Sequence, residues 1–194
     1  MRKIAVTGGL GSGKSTVCQL LKESGAYVVD ADEIVRHLLT KESPTAGQVI
    51  KLLGPDVITK NQIDRKKISN IVFSNPTKLK ALELILHPAV RHEINRLFEM
   101  IKNSKTYRFF VAEVPLLFEA RMENEYDAVI AVIADEDIAR KRASSKDEFD
   151  RRTRFQLPPA AKESKATYVI KNQGDLDALK AQVTRLIPQL LQGV

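Results

Sequence analysis

Cysteine is almost missing from this chain of 194 residues, where Cys18 stands alone. No internal disulfide can form, and no Cys/His cluster has the spacing of a structural zinc site. Cys18 reads as a small core filler on a helix. Tryptophan is absent and aromatic residues make up 6% of the chain. No aromatic-rich strand offers bases a surface to stack on, and neither zinc-finger spacing nor a recognition-helix motif is present. No apolar run approaches the roughly 20 residues that cross a bilayer. The run behind Met1-Arg2-Lys3 is too short for a signal peptide, so the expectation is a cytoplasmic protein with no membrane partner.

What is present suits a globular domain with one full core: 43% of residues are hydrophobic and 28% charged. The net charge of +7 points to polyanionic partners. With the nucleic-acid signals missing, it fits phosphate-rich small molecules at least as well as RNA or DNA. A small-molecule ligand, no stable nucleic-acid partner, and a monomer or weak homo-oligomer are expected. Short apolar runs at 3–7, 26–29, 108–114, 128–134 and 167–170 read as buried strands, and most lack the polar alternation of a half-exposed sheet. Helical patterns separate them, such as Leu79, Leu82, Leu86, Val90, Ile94, Leu97 and Ile101 at spacings of three and four. The pattern predicts an α/β protein with a five-stranded parallel sheet covered by helices on both faces.

Between the second and third of these strands lies a long stretch with no strand signal, punctuated by Gly54-Pro55 and Asn75-Pro76. It reads as a helical lobe over about 40–103, carried on a core of 1–39 and 104–194. His87-Pro88 falls inside its periodic pattern, where proline is expected to end or kink the helix. A basic stretch after the fourth strand holds Arg140, Lys141, Arg142, Lys146, Arg151, Arg152 and Arg154. It reads either as a solvated helix face or as a lid over about 140–157 that supplies a guanidinium to a phosphate.

Gly8-Gly9-Leu10-Gly11-Ser12-Gly13-Lys14-Ser15 fits G-x-x-x-x-G-K-[ST], behind a predicted strand and ahead of a predicted helix. Four fixed positions at average composition occur by chance in only ~1% of chains this long, and the flanking elements lower that further. Glycines let the loop curl until its backbone N–H groups converge on phosphate, and the helix start adds its positive dipole end. Lys14 is placed at the β- and γ-phosphates of ATP and the Ser15 hydroxyl on Mg²⁺, with Thr16 next on the helix. The motif alone does not choose among kinase, ATPase, GTPase and motor.

Val28-Val29-Asp30-Ala31-Asp32 ends the second predicted strand, where ligand sites of open parallel sheets gather. Asp32 is the candidate base that orients and accepts the acceptor's proton, with Asp30 the runner-up. Asp32 before Glu33-Ile34-Val35 could equally cap the next helix. Glu113, ending the third strand, suits either a Walker-B-like acid or a buried, hydrogen-bonded carboxylate. Arg140 and Arg142 stand first among the lid cations by position.

With these residues in place, the chain resembles the dephospho-coenzyme A kinase family. The likeness is carried by Thr7 to Thr16, Val29-Asp30-Ala31-Asp32-Glu33-Ile34, Ile63-Asp64-Arg65, Leu86-His87-Pro88, Val114-Pro115-Leu116-Leu117-Phe118-Glu119 and Asn172-Gln173-Gly174. The resemblance implies a P-loop three-layer sandwich of the nucleoside-monophosphate-kinase type, with a helical substrate lobe and a lid. It implies ATP-dependent phosphorylation of the ribose 3′-hydroxyl of dephospho-coenzyme A. By the same resemblance Asp32 is the base, Arg65, His87, Pro115 and Leu116 fall on the acceptor side, and Gln156 and Asn172 on the adenine side. Arg140 is placed against adenine and Arg142 as the lid cation. The last third departs from the family pattern: Asp137 stands near an expected glutamine, the lid is a few residues short, and Ala166-Thr167 replaces Ala-Asp. The rivals are another small-molecule P-loop kinase, such as one acting on nucleoside monophosphates, and a nucleotide-binding switch that transfers nothing. Against the switch, no Asn-Lys-x-Asp guanine-reading motif follows a strand.

Overall fold

Strand β1 (Arg2–Gly8) carries Ile4, Ala5 and Val6 without solvent exposure. A run apolar on both faces is stable only where a sheet is covered on both sides. The structure, a computed structural model, describes residues 1–40, 42–143 and 145–192, without the side chains of Lys146 and Glu148. After β1 come α1 (Lys14–Glu23), β2 (Ala26–Asp30), α2 (Ala31–Leu38), α3 (Pro44–Leu53), β3 (Ile58–Thr59), β4 (Gln62–Ile63), α4 (Arg65–Phe73) and α5 (Pro76–Ile101). Then follow β5 (Phe109–Glu113), β6 (Ala128–Ile133), α6 (Glu136–Arg142), α7 (Lys146–Thr153), α8 (Pro159–Lys165), β7 (Tyr168–Lys171) and α9 (Leu176–Gln192). The chain forms two compact units, one of residues 1–30 with 98–194 and the other of residues 31–97.

In the first unit a parallel sheet runs in the order β2-β5-β1-β6-β7. Its strands are the five expected from the apolar runs, with ends shifted by a residue or two. The register sets Ile4 beside Val111 and Val6 beside Ile130. Because side chains alternate across a strand, these residues share a face, where Val17, Cys18 and Leu21 of α1 and Leu179, Val183 and Leu190 of α9 bury them. Cys18 is a core filler: burial, and next the neighbouring Glu113, push its thiol well above the ordinary range. On the other face Phe110 meets Phe98, near the end of α5, edge to face at 5.4 Å between ring centroids, and Lys3 lies buried over the Tyr126 ring at 4.6 Å. Helix α8 packs against β1 and β6. The result is a three-layer P-loop-type sandwich. Both neighbours of β1 come later in the chain, so the strand order reverses beside it, and ligands of open parallel sheets collect at the carboxyl ends of strands at such a point.

The second unit packs Leu39, Val49, Leu53, Val57, Ile68, Val72 and Leu82 into its own core. Two of its helices, α3 and α4, begin on side-chain caps. Ser43 accepts from the Ala46 N–H ahead of Pro44, and Asp64 accepts from the N–H groups of Lys66 and Lys67. Two expectations fail here. The stretch taken to lack strands contains the β3–β4 hairpin, turned by Lys60 and Asn61 at φ 48° and 65°; two-residue strands are too short to show a period. Nor does the helix end at His87-Pro88, because α5 runs through Pro88 to Ile101. Leu82, Val90 and Ile94, buried on both sides of the proline, outweigh the one hydrogen bond it removes. Among the described residues no helix is long and apolar enough to cross a membrane.

Candidate active site

The loop between β1 and α1 takes the shape its glycines permit. Gly11 and Gly13 have φ of 73° and 96°, a region L side chains rarely enter. A Cβ at Gly11 would stand 2.2 Å from the Ala139 carbonyl oxygen, and one at Gly13 2.2 Å from Asn172 Nδ2. Gly13 sits at the N-cap of α1, so the helix start opens directly from the loop. Lys14 is buried and its Nζ donates to the Gly9 carbonyl at 2.9 Å. Ser12 Oγ is buried without a hydrogen-bond partner, which marks a place for a polar ligand atom. Loop N–H groups, a lysine, an orphaned hydroxyl and a helix start together fit phosphate.

Beyond the loop, Ser15 Oγ donates to Glu113 Oε1 at 3.1 Å. Glu113 is buried, and its carboxyl lies above its ordinary value, chiefly because burial disfavours the charge, against the pull of Lys14 and the Ser15 hydrogen bond. A hydroxyl beside a carboxylate is a hard-oxygen set that suits a phosphate-bound divalent cation. Among the described residues no group of three His, Cys, Asp or Glu side chains could hold a metal.

Ala134, Ala139, Phe149 and Gln156 border the loop from another side. Leu10 packs with Ala134, Ala139 and Phe149, and Phe149 is 4% exposed. Gln156 Oε1 accepts from the Leu10 N–H at 3.3 Å, and Asn172 Nδ2 donates to the Ser12 carbonyl at 2.8 Å. A cleft of about 260 Å³ lies here, walled by Gly9, Ser12, Ala139, Phe149, Gln156 and Pro158. Arg140 is held by Glu136 at 3.1 Å and Asp150 at 2.8 Å, with its guanidinium over the Phe149 ring. Arg142 donates to the Asn172 carbonyl at 3.2 Å and is otherwise exposed. Helices α6 and α7 occupy the expected lid, in which Ser144 and the Lys146 side chain lie outside the described residues.

The remaining expected residues are distributed as follows. Thr16 is exposed on α1. Pro115 and Leu116 follow β5, and the Pro115 carbonyl accepts from Thr7 Oγ1. In the second unit, Asp32 is exposed in the first turn of α2; the helix already begins at Ala31, so Asp32 does not cap it. Arg65 opens α4 behind its Asp64 cap. His87 is half-buried in α5, and burial pulls its imidazole below the ordinary value, against Glu83 and helped by Arg91. The structure thus gathers Gly8 to Thr16, Gln156, Asn172 and the lid arginines around one loop within the first unit. Phe149 and Lys162 of the same unit escape a reading by spacing: one aromatic and one lysine in polar runs carry no signal of burial.

A family model described as dephospho-CoA kinase matches residues 2–178. The dephospho-CoA kinase of Protochlamydia amoebophila is 42% identical over 98% of this chain and 97% of its own length, and that of Aquifex aeolicus is 36% identical over 98% of each. A solved structure from Thermus thermophilus aligns over 97% of both chains with a TM-score of 0.81 and 31% identity.

Proposed function

The chain belongs to the dephospho-CoA kinase family, and from that premise we propose that it phosphorylates the ribose 3′-hydroxyl of dephospho-CoA with ATP, giving CoA and ADP. The observation that carries this is the phosphate loop of Gly8 to Ser15, built at the carboxyl end of β1 in a chain matched by that family over residues 2–178.

Loop N–H groups and Lys14 bind the β- and γ-phosphates, and the buried Ser12 hydroxyl finds its missing partner there. Lys14 exchanges the Gly9 carbonyl for phosphate. Ser15 and Glu113 are the residues that would hold Mg²⁺, which would neutralise phosphate charge when bound. Asp32 orients the acceptor hydroxyl and takes its proton as the bond to phosphorus forms. Arg65, His87, Pro115 and Leu116 serve the acceptor side, and Gln156 and Asn172 the adenine side. Of the two lid arginines, Arg142 is better placed to meet phosphate: Arg140 already has two carboxylates, whereas Arg142 spends one donor on a carbonyl. We further place the enzyme in the cytoplasm as a monomer or weak homo-oligomer, with no stable nucleic-acid or membrane partner.

Product analysis tests the proposal. After incubation with ATP, Mg²⁺ and dephospho-CoA, phosphorus NMR should show a new monoester on the ribose 3′ carbon, with AMP unmodified in a parallel tube. Phosphorylated AMP with dephospho-CoA untouched would replace the proposal with a nucleoside monophosphate kinase.

A further inference from the structure

Lys162 has no solvent exposure and takes no part in the chemistry above. A buried ammonium is costly unless its charge is met. Its Nζ lies 2.9 Å from Glu119 Oε1 and donates to the Pro115 carbonyl at 2.8 Å, and both partners lead back to the phosphate loop. Glu119 Oε1 also accepts from the Leu157 N–H at 2.7 Å. The residue before Leu157 is Gln156, whose side-chain oxygen holds the Leu10 N–H. On the other branch the Pro115 carbonyl accepts from Thr7 Oγ1 at 3.2 Å, one residue ahead of Gly8. The second carboxylate oxygen, Glu119 Oε2, is buried without a hydrogen-bond partner, so contacts through Oε1 set the orientation of this side chain. The ion pair joins the strand that enters the loop to the segment lying over it.

We propose that Lys162 and Glu119 are positioning residues for the nucleotide: the pair fixes the Leu157 N–H, and with it the placement of Gln156 against Leu10. Neither touches the reacting atoms. The inference rests on the nucleotide-binding assignment of the loop. Removing both charges of a buried pair often costs little stability; it costs ligand affinity where that affinity depends on where the pair holds the backbone.

The test measures ATP binding to the full chain with Mg²⁺ and no acceptor, alongside KM for ATP and for dephospho-CoA. Lys162→Met strands a buried carboxylate and can unfold the protein. The double variant Glu119→Gln with Lys162→Met is therefore measured beside it, since it strands no charge yet removes the ammonium that orients the acceptor of the Leu157 N–H. Each folded variant should bind ATP about 10-fold or more weakly, with KM for ATP raised to match and KM for dephospho-CoA, whose side Lys162 reaches only through the Pro115 carbonyl, raised by a smaller factor. Amide protection at Leu10 and Leu157 should fall before that of the sheet. Wild-type ATP affinity in a folded variant overturns the proposal, as does an equal rise in both KM values. Failure of both variants to fold assigns the pair to stability alone and overturns it too. If the wild type binds ATP but does not turn over dephospho-CoA, the proposed function fails while the ATP-binding comparison still decides the role of the pair.

Discussion

Two carboxylates carry different physical burdens. Asp32 is exposed in the first turn of α2, where an incoming hydroxyl can reach it. As the proposed base, its change to Asn should lower kcat by about 100-fold or more while ATP binding persists. Paired turnover and nucleotide-binding measurements check this, and unchanged turnover removes Asp32 from the mechanism. Glu113 is buried beside Lys14 and Ser15, and its folded carboxyl sits above the ordinary 4.5. A raised folded value means that the folded protein holds a proton the unfolded chain has released. Stability from this group is therefore full below about 4.5 and is lost as pH rises through the folded value. Glu113→Gln should accordingly raise Tm at neutral pH, with the gain shrinking toward pH 4.5. As the proposed partner of Ser15 on the cation, the same change should cost about 10- to 100-fold in activity or Mg²⁺ affinity. Melting curves across pH, compared with turnover, separate the two effects; a lower Tm at neutral pH would contradict the assigned cause of the shift.

At the scale of elements, the sequence showed the sheet more clearly than what surrounds the loop. Parallel strands buried on both faces read as unbroken apolar runs, so β1, β5 and β6 were legible one by one, and the edge strands β2 and β7, only partly buried, were legible as shorter apolar runs. The β3–β4 hairpin was not, having two residues per strand, and α5 was hidden by Pro88, since local propensity cannot weigh the core that Leu82, Val90 and Ile94 build around it. Arg140 likewise reads as a free lid cation until the fold supplies Glu136, Asp150 and Phe149. The α6–α7 segment rests on a small cluster of Leu10, Ala134, Ala139 and Phe149. Phe→Ala costs about 3–5 kcal/mol in a close-packed core. Here the loss should appear as local opening, because so small a cluster lies apart from the main core. Phe149→Ala should speed proteolysis within 140–157 and weaken ATP binding, with little change in Tm. Wild-type protease resistance in that segment would show that Phe149 does not hold it.

Over the whole molecule, the phosphate loop was legible because its chemistry is local: eight consecutive residues specify the turn, the N–H groups, the lysine and the hydroxyl. Contacts that join distant segments were not, and the buried Lys162–Glu119 pair is of that kind. The net charge of +7 suits a protein whose proposed substrates are both polyanionic, yet it names neither of them. Family membership narrows the acceptor to one molecule, and acceptor choice is the claim most exposed to failure. It is tested most directly by ADP release from ATP and Mg²⁺ with dephospho-CoA, beside AMP and a blank without acceptor, using Lys14→Ala as the control for contaminating activity. ADP release that requires dephospho-CoA and disappears in Lys14→Ala is the predicted result; release that ignores dephospho-CoA, or that survives in the variant, would contradict it.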